Sequence, residues 1–465
     1  MNMINVRRLT VMTFLGAGML SGISAQVSPL QVDTLKETKI PDQWDLQSCI
    51  DYAKEQNITI RKNRITAVST QIDVKTAKAA LFPSLSFSTG HQVVNRPYQE
   101  TSSRVSGSEI ISSNSKTSYN GNYGLNASWT LYNGNKRLKT IQQEKLNNQM
   151  AELDVATSEN NIQESIAQVY IQILYAAESV KVNENTLQVS IAQRDRGQEL
   201  LNAGSIAKSD LAQLEAQVST DRYQLVTAQA TLEDYKLQLK QLLELDGENE
   251  MNIYLPTLSD ENVLAPLPTK RDVYISALSL RPEIEASKLN VEASELGINI
   301  AKSSYFPTIS LSAGIGTNHT SGSDFTFGEQ VKNGWNNSIG LSVSVPIFNN
   351  RQTKSAVQKA KLQYETSMLS LLDEQKALYK TIESLWLDAN SAQQRYAAAN
   401  EKLKSTQISY ELISEQFNLG MKNTVELLTE KNNLLQAQQE QLQAKYMAIL
   451  NTQLLKFYQG DQLAL

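Results

Sequence analysis

The chain holds few side chains that could make or break bonds. Among its 465 residues there are two histidines, His91 and His319, and a single cysteine, Cys49. A metal centre or a nucleophile with its base needs several such groups converging. His91 and His319 instead fall in stretches that read as strands, and Cys49 in a helical one. The histidines read as polar residues near loops and the thiol as a small buried hydrophobe. The expectation is therefore no enzyme, no metal and no cofactor, and one thiol leaves no intrachain disulfide. What remains is charge at two matching places. Gly204 is followed by Ser209-Asp210-Leu211, and Gly420 by Lys422 and then Thr424-Val425-Glu426-Leu427-Leu428. The chemistry on offer there is ion pairing, and by residue type alone both strings read as solvated ends of helix-turn-helix units. Their meaning depends on the elements that carry them.

Those elements are rods. Ile347 to Leu419 runs 73 residues without glycine or proline, long enough for roughly 110 Å of helix. Val357, Tyr364, Leu371, Leu378, Leu385, Ala392 and Ala399 repeat every seven residues. Ile382, Ala389, Tyr396, Leu403, Tyr410 and Phe417 follow four places on. This is the seam of a helix packed lengthwise on others. Asn135 to Arg196 is a second such run, of 62 residues, and shorter ones follow Gly204 (42 residues) and Gly420 (39 residues).

Between the rods the period changes to two. Leu85, Phe87, His91 and Val93 alternate with polar residues. So do Tyr119, Gly121, Tyr123, Leu125, Ala127, Trp129 and Leu131, after a Ser-rich loop. The plan then recurs. Phe82-Pro83-Ser84-Leu85-Ser86 returns as Phe306-Pro307-Thr308-Ile309-Ser310, 224 residues on, and Tyr123-Gly124-Leu125 as Ile339-Gly340-Leu341, 216 on. Leu201 to Gly204 aligns with Phe417 to Gly420 at the same 216 offset. An internal duplication follows.

Its expected layout is a signal peptide at 1–25 and a flexible segment at 26–43, then repeat 1 at 44–246. Repeat 1 divides into helices within 46–82, strands 84–94 and 119–132, and long helices 134–203 and 206–246. A Pro-rich linker at 247–271 packs around the outside. Repeat 2 spans 272–459, with helices within 272–306, strands 308–318 and 335–348, and long helices 350–419 and 423–459, before a tail at 460–465. Arg7-Arg8, the apolar Leu9–Leu20 and the small residues ending at Ala25 have the order of a secretory signal, and with no cysteine just after it a lipid anchor there is not expected. The net charge of −5 gives no basic surplus for nucleic acid. No later segment approaches ~18 consecutive apolar residues, so no transmembrane helix is expected.

Four strands of about ten residues, apolar on one face and small and polar on the other, carry the signature of a membrane barrel. About eight are needed to enclose packed side chains, so several chains must share one barrel. Tyr119, Tyr123, Trp129, Tyr132, Trp335 and Phe348 lie toward the strand ends, and no further strand is read elsewhere. In each repeat the pre-strand and post-tip helices together approach the long rod's length and can stack end to end beside it.

Over essentially its whole mature length the chain resembles TolC-type outer membrane efflux channels. The resemblance rests on the duplicated helix, Phe-Pro, strand, loop, strand, long-helix order, the tip glycines and the two tip strings. It implies a homotrimer in outer membrane lipid, with a twelve-stranded barrel and a twelve-helix periplasmic tunnel that opens by untwisting its lower end. The implied partners are a periplasmic adaptor protein and an inner-membrane pump of the resistance-nodulation-division, ABC or major facilitator type, in efflux or type I secretion. It further implies that Lys422 latches the closed gate onto Ser209 and Asp210, within a protomer or to its neighbour. Phe417 stands where relatives carry a hydroxyl that assists. Glu426 fits the first acid of the narrowest ring, with Thr429 in place of the second and Glu430 one residue on. Gly204, Gly420, Leu211 and Leu427 mark the tips that meet the adaptor. The competing reading is an exported coiled-coil scaffold or adaptor without transport activity, which leaves the duplicated strand pairs without a role.

Overall fold

A computed structural model describes residues 41–98, 102–106, 109–113, 116–246, 251–256, 263–321 and 325–463, with 102–106 and 109–113 as backbone. The signal segment 1–25 and residues 26–40 lie outside the described residues. The chain is mainly helical with one four-stranded sheet.

Helices α1 (Leu46–Gln56) and α2 (Ile58–Ala79) precede strand β1 (Ser84–Asn95). Strands β2 (Ser102–Ser106), β3 (Glu109–Ser113) and β4 (Thr117–Asn133) lead into α3 (Lys136–Asn202) and α4 (Lys208–Leu242). The second half runs α5 (Lys270–Leu280), α6 (Pro282–Ser303), β5 (Thr308–Thr320), α7 (Phe327–Asn333), β6 (Asn336–Ser344), α8 (Gln352–Asn418) and α9 (Thr424–Gln459).

The two rods, α3 and α8, are 67 residues each, or about 100 Å. Every seam position read from α8 is buried or half-buried. Each rod leaves its strand through left-handed residues, Gly134-Asn135 and Asn350-Arg351. At Gly134 a Cβ would sit 2.6 Å from the Ser303 carbonyl oxygen and 2.9 Å from Phe306 Cβ, so only glycine fits this turn.

Helix α2 covers the upper half of α3, through Arg64 to Glu159 (2.8 Å) and Thr70 to Asn148 (3.2 Å), and α4 covers the lower half. They meet end to end. Asn57 caps α2, accepting from Thr59 N at 2.9 Å, while its amide donates to the Leu242 carbonyl of α4 at 3.0 Å. Helix α6 lies between α3 and α8, with Gln143 on the Ala293 carbonyl (3.0 Å) and Ser294 on Ser367 (2.8 Å). Below it α9 bridges the same two rods. At the α6–α9 junction Arg281 pairs with Glu164 at 2.7 Å and stacks 3.5 Å over the Tyr458 ring. Around mid-height, Trp44 forms a bridge with Ile253, and Tyr170 donates to the Tyr254 carbonyl at 2.6 Å. Trp386 and Gln393 hold linker carbonyls of Pro268, Val263 and Ala265. Cys49 is fully buried in this belt, and burial pushes its thiol up to about 12.

The sheet is antiparallel in the order β1-β4-β5-β6. Its register puts Phe87 opposite Leu125, Leu125 opposite Ile315 and Ala313 opposite Ile339, all on one face. Three details depart from the sequence reading. A β-bulge between Thr130 and Tyr132 takes Leu131 out of the alternation, so that Tyr132 pairs with Ile309 on the apolar side. Strand β6 stops at Ser344, short of 348, because Pro346 has no N–H to donate. The Ser-rich loop is not strand-free, since β2 and β3 pair within it around Val105 and Ile110, and helix α7 sits in the matching loop of repeat 2 behind a Thr326–Glu329 capping box.

Candidate functional site

The two rod ends close alike. Gly204 and Gly420 are left-handed, at φ 73° and 75°, with open space around them. Ser205 N donates to the Leu200 carbonyl and Met421 N to that of Gln416, both at 2.8 Å, which is a Schellman closure in each case. Leu427 and Phe417 are buried under the second tip. Under the first, Gly197 admits Leu214, with Leu211 and Ile206 alongside.

The charged residues after the glycines are engaged locally. Lys422 Nζ donates to Glu426 Oε1 at 2.6 Å, and this bond, with the Asn423 amide, holds the Glu426 carboxyl below its ordinary range. Asn423 and Glu426 cap α9 reciprocally, at 2.9 and 3.3 Å. Asp210 turns back to the Ala207 amide at 3.0 Å, and Ser209 is exposed. Within the chain Lys422 therefore pairs with Glu426, and it makes no ion pair with Asp210 among the described residues. Thr429 bonds its own helix, to the Val425 carbonyl, and Glu430 accepts from Ser409 at 3.1 Å.

Roughly two to four helical turns from the tips lies a cluster that the sequence reading missed. Lys431 of α9 donates to Asp221 of α4 and to Ser190 of α3, and the Ser190 hydroxyl donates to the same Asp221 oxygen. Gln217 donates to the other oxygen at 2.9 Å. The side chains of Lys431 and Asp221 are only 3% and 2% exposed. Burial lowers the Lys431 ammonium, and the carboxylate opposes that shift. The signal was present in the sequence. Lys431 falls between Leu427 and Leu434, and Asp221 after Leu214 and Val218, so each is a charge on its helix's apolar stripe.

His91 and His319 flank Gly121 on the apolar face of the sheet, in an aromatic row. Tyr119 Oη lies 2.6 Å from His91 Nδ1, and Phe327 is 5.0 Å from His319. No group of three or more metal-binding side chains occurs among the described residues.

Two lateral edges remain open. Among the described residues, strands β1 and β6 each pair on one side only. Helices α2 and α4 continue the β1 edge downward, and α8 continues the β6 edge. Ile58, Ile65 and Ile72 lie exposed at seven-residue spacing on α2, and Leu362, Leu369, Leu372 and Tyr379 on α8. The apolar sheet face is bare as well, with Ile339 at 79% and Phe87 at 68% exposure. No helix among the described residues is long and apolar enough to cross a membrane.

A family model described as "Outer membrane efflux protein" matches residues 49–244 and 273–460. Outer membrane efflux protein BepC of Brucella suis is 24% identical over 63% of this chain and 61% of its own length. Outer membrane protein TolC of Escherichia coli is 24% identical over 61% and 58%, so the chain aligns with about three fifths of these two relatives. Toxin and drug export protein A of Aggregatibacter actinomycetemcomitans is 22% identical over 89% of this chain and 87% of its own. Among solved structures, CusC superposes with a TM-score of 0.76 at 18% identity, covering 93% of this chain and 97% of that one, and VceC of Vibrio cholerae with 0.73 at 16%, covering 90% and 97%.

Proposed function

Because the chain belongs to the outer membrane efflux protein family, we propose that it is the outer membrane channel of a tripartite efflux or type I secretion system. The carrying observation is the pair of open edges. A sheet with an apolar face cannot stand in a bilayer with unpaired strand edges, since each orphaned backbone group costs several kcal/mol there. The β1 and β6 edges satisfy each other only in a ring of copies joined head to tail.

The duplication supplies the register of that ring. Between the repeats, β4 pairs with β5 as Leu125 opposite Ile315. Moving β4 forward 216 residues and β5 back 224 gives β6 against β1 of the next copy, with Leu341 opposite His91 and Val343 opposite Thr89. Every such pair keeps apolar with apolar face and polar with polar, a match that a one-residue slip destroys. Below the sheet the same step brings the α8 stripe beside Ile58 and Ile65 of the neighbouring α2. Three copies make twelve strands and a twelve-helix periplasmic tunnel whose tips form the gate, facing an adaptor and an inner-membrane pump. At the gate the α8 end of one copy lies beside the α4 start of the next. In this reading Lys422 exchanges Glu426 for Asp210 and Ser209 of the neighbour.

Native mass spectrometry in detergent tests the assembly, with three copies expected. The register is tested by oxidative cross-linking of Val343→Cys with Thr89→Cys in a Cys49→Ala background. Ladders up to three chains are expected, and none from Ser342→Cys with Thr89→Cys. A monomer extracted by carbonate overturns the channel reading.

A further inference from the structure

Resting on the channel reading above, we infer that the helix ends just beneath the sheet form a basic collar that binds anionic phospholipid headgroups in the leaflet on the helical side of the membrane. Stretches 72–83, 134–145, 297–307 and 349–361 are where α2 and α6 run into the sheet and where α3 and α8 leave it. Together they hold eleven lysines and arginines against two acids, Asp73 and Glu144, in a chain whose net charge is −5. The opposite end of the sheet has no such surplus, since 96–116 and 321–335 together hold four residues of each sign. Lys75, Lys78, Lys136, Lys302, Arg351 and Lys354 are all exposed. None of the eleven enters an ion pair among the described residues. Lysines lower on the same two rods are neutralised, Lys181 by Glu178 and Lys402 by Glu440, both at 2.7 Å. A cluster of like charges repels itself unless a partner supplies the opposite sign.

What lies directly above the collar identifies that partner. Phe82 and Phe348 are 73% and 81% exposed, and Phe306 and Ile347 are exposed beside them in sequence. Trp129, on the apolar face opposite Leu311, donates to the Leu81 carbonyl at 2.7 Å, and Arg137 donates to the adjoining Ala80 carbonyl. The end of α2 and the start of α3 are thus gathered on the side to which the apolar face belongs. Apolar rings followed by cations, in that order away from the sheet, match the order of acyl chains and phosphates across a leaflet. From Lys136 to Lys145, and from Arg351 to Lys361, the collar is about 15 Å deep. A headgroup layer of roughly 5 to 7 Å and one screening length of ~8 Å cover that depth, and the long lysine stems carry the lower charges upward. Each cation held at an anionic surface favours association about fivefold.

The test reconstitutes the full-length chain in phosphatidylcholine vesicles with a trace of spin-labelled phosphatidylglycerol or spin-labelled phosphatidylcholine. The motionally restricted fraction of each label gives the relative affinity for the two headgroups. The parent is expected to prefer phosphatidylglycerol by about threefold or more, and to lose the preference near 1 M salt, where the screening length falls to ~3 Å. Lys78→Gln with Lys136→Gln, Arg351→Gln and Lys354→Gln should bring the ratio close to one. Arg96→Gln with Lys116→Gln and Lys332→Gln, at the other end of the sheet, should leave it unchanged. The salt arm needs no substitution, so it decides the matter should the quadruple variant not assemble. Equal restriction of the two lipids in the parent overturns the collar, as does a preference that survives high salt or the quadruple change. A quadruple variant that alters the cation-to-anion permeability ratio in planar bilayers and leaves the lipid ratio alone would place these charges in the bore, and overturns it too. A parent that never inserts and restricts neither lipid faults the channel reading, and the collar falls with it, whereas an inserted parent without headgroup preference removes the collar alone.

Discussion

The α3–α4 and α8–α9 hairpins are two copies of one object, and they differ where they would touch other things. Both rods end in the same glycine closure, and both are sealed by leucines beneath. Beyond the glycine, α9 begins with an asparagine and a full capping box, whereas α4 begins with Ala207, which has no side-chain oxygen to give. Further up, the first hairpin contributes Ser190 and Asp221 to the buried cluster and the second contributes Lys431. Their counterparts, Thr406, Ala437 and Glu215, form no ion pair among the described residues. Duplication kept the apolar seam that builds a rod and released the polar positions. The two equivalent hairpins thereby came to share one buried ion pair where they meet inside the chain.

The largest expected effect breaks the buried cluster. Lys431→Met leaves the Asp221 carboxyl buried without its cation, a loss of about 3 to 5 kcal/mol. Glu215, at the equivalent position of the other hairpin, belongs to no ion pair among the described residues, so Glu215→Lys should cost much less than Lys431→Met. Adding Asp221→Leu to Lys431→Met should recover most of the loss. Thermal melting of the detergent-solubilised assembly distinguishes these cases, and equal melting for Lys431→Met and Glu215→Lys would erase the contrast between hairpins.

The second effect concerns the two faces of the sheet. Leu125→Arg on the apolar face should destabilise assembly by ~2 to 4 kcal/mol near the bilayer midplane, whereas Asn126→Arg on the polar face is tolerated. Adjacent residues of one strand thus have opposite consequences. Equal yields of assembled protein from the two variants would contradict the assigned alternation.

Much of this was legible in the sequence because it is periodic. The seven-residue seam placed Ile382, Ala389 and Tyr396 in the interior, and the two-residue alternation placed Phe87 and Leu125 on one face. What periodicity cannot carry stayed hidden. The bulge at Leu131 is a single-residue break in register, visible only once β5 is beside β4. Short elements such as the β2–β3 hairpin and α7 offer too few residues for a period to emerge. The Lys431 cluster needs three helices together, and its sequence trace is only two charges on apolar stripes. At the tip, the family resemblance implied that Lys422 latches onto Ser209 and Asp210 within a copy or in its neighbour; within the copy Lys422 is held by Glu426, one helical turn away.

A smaller effect separates the tips by their caps. Asn423→Ala should cost about 1 kcal/mol, and Ala207→Asn should gain up to that amount, because the first supplies an acceptor to the Glu426 amide and the second now supplies none. Hydrogen exchange at the first turns of α4 and α9 reads this directly. The protection of the two turns should converge in Ala207→Asn, and a persistent difference would mean that the caps are not its source.

The smallest effect per copy is the latch. An exposed lysine-carboxylate pair is worth only ~0 to 1 kcal/mol, but three symmetric copies acting on one aperture could sum to ~3 kcal/mol, on the order of a hundredfold in the ratio of closed to open channels. On the proposed channel reading Lys422 has two candidate acceptors, Glu426 within its copy and Asp210 of the neighbour, and only the second would close the gate. Glu426→Gln should therefore tighten the gate by freeing Lys422, and Asp210→Ala should loosen it. Lys422→Ala should also loosen it, and adding Asp210→Ala to that variant should add little, since either change already breaks the pair. Phe417 offers no hydroxyl to hold the gate in either case. Acid works in a definite direction here. The Glu426 carboxyl titrates below its unfolded value, so its stabilisation of the α9 start is complete above the usual carboxylate range and is lost as pH falls through the depressed one. Single-channel recording across that acid range should show the local Lys422–Glu426 pair dissolving in the parent, with no such transition in Glu426→Gln. Identical conductance in Lys422→Ala, Asp210→Ala and the parent would mean that helix packing, and not the latch, closes the tips.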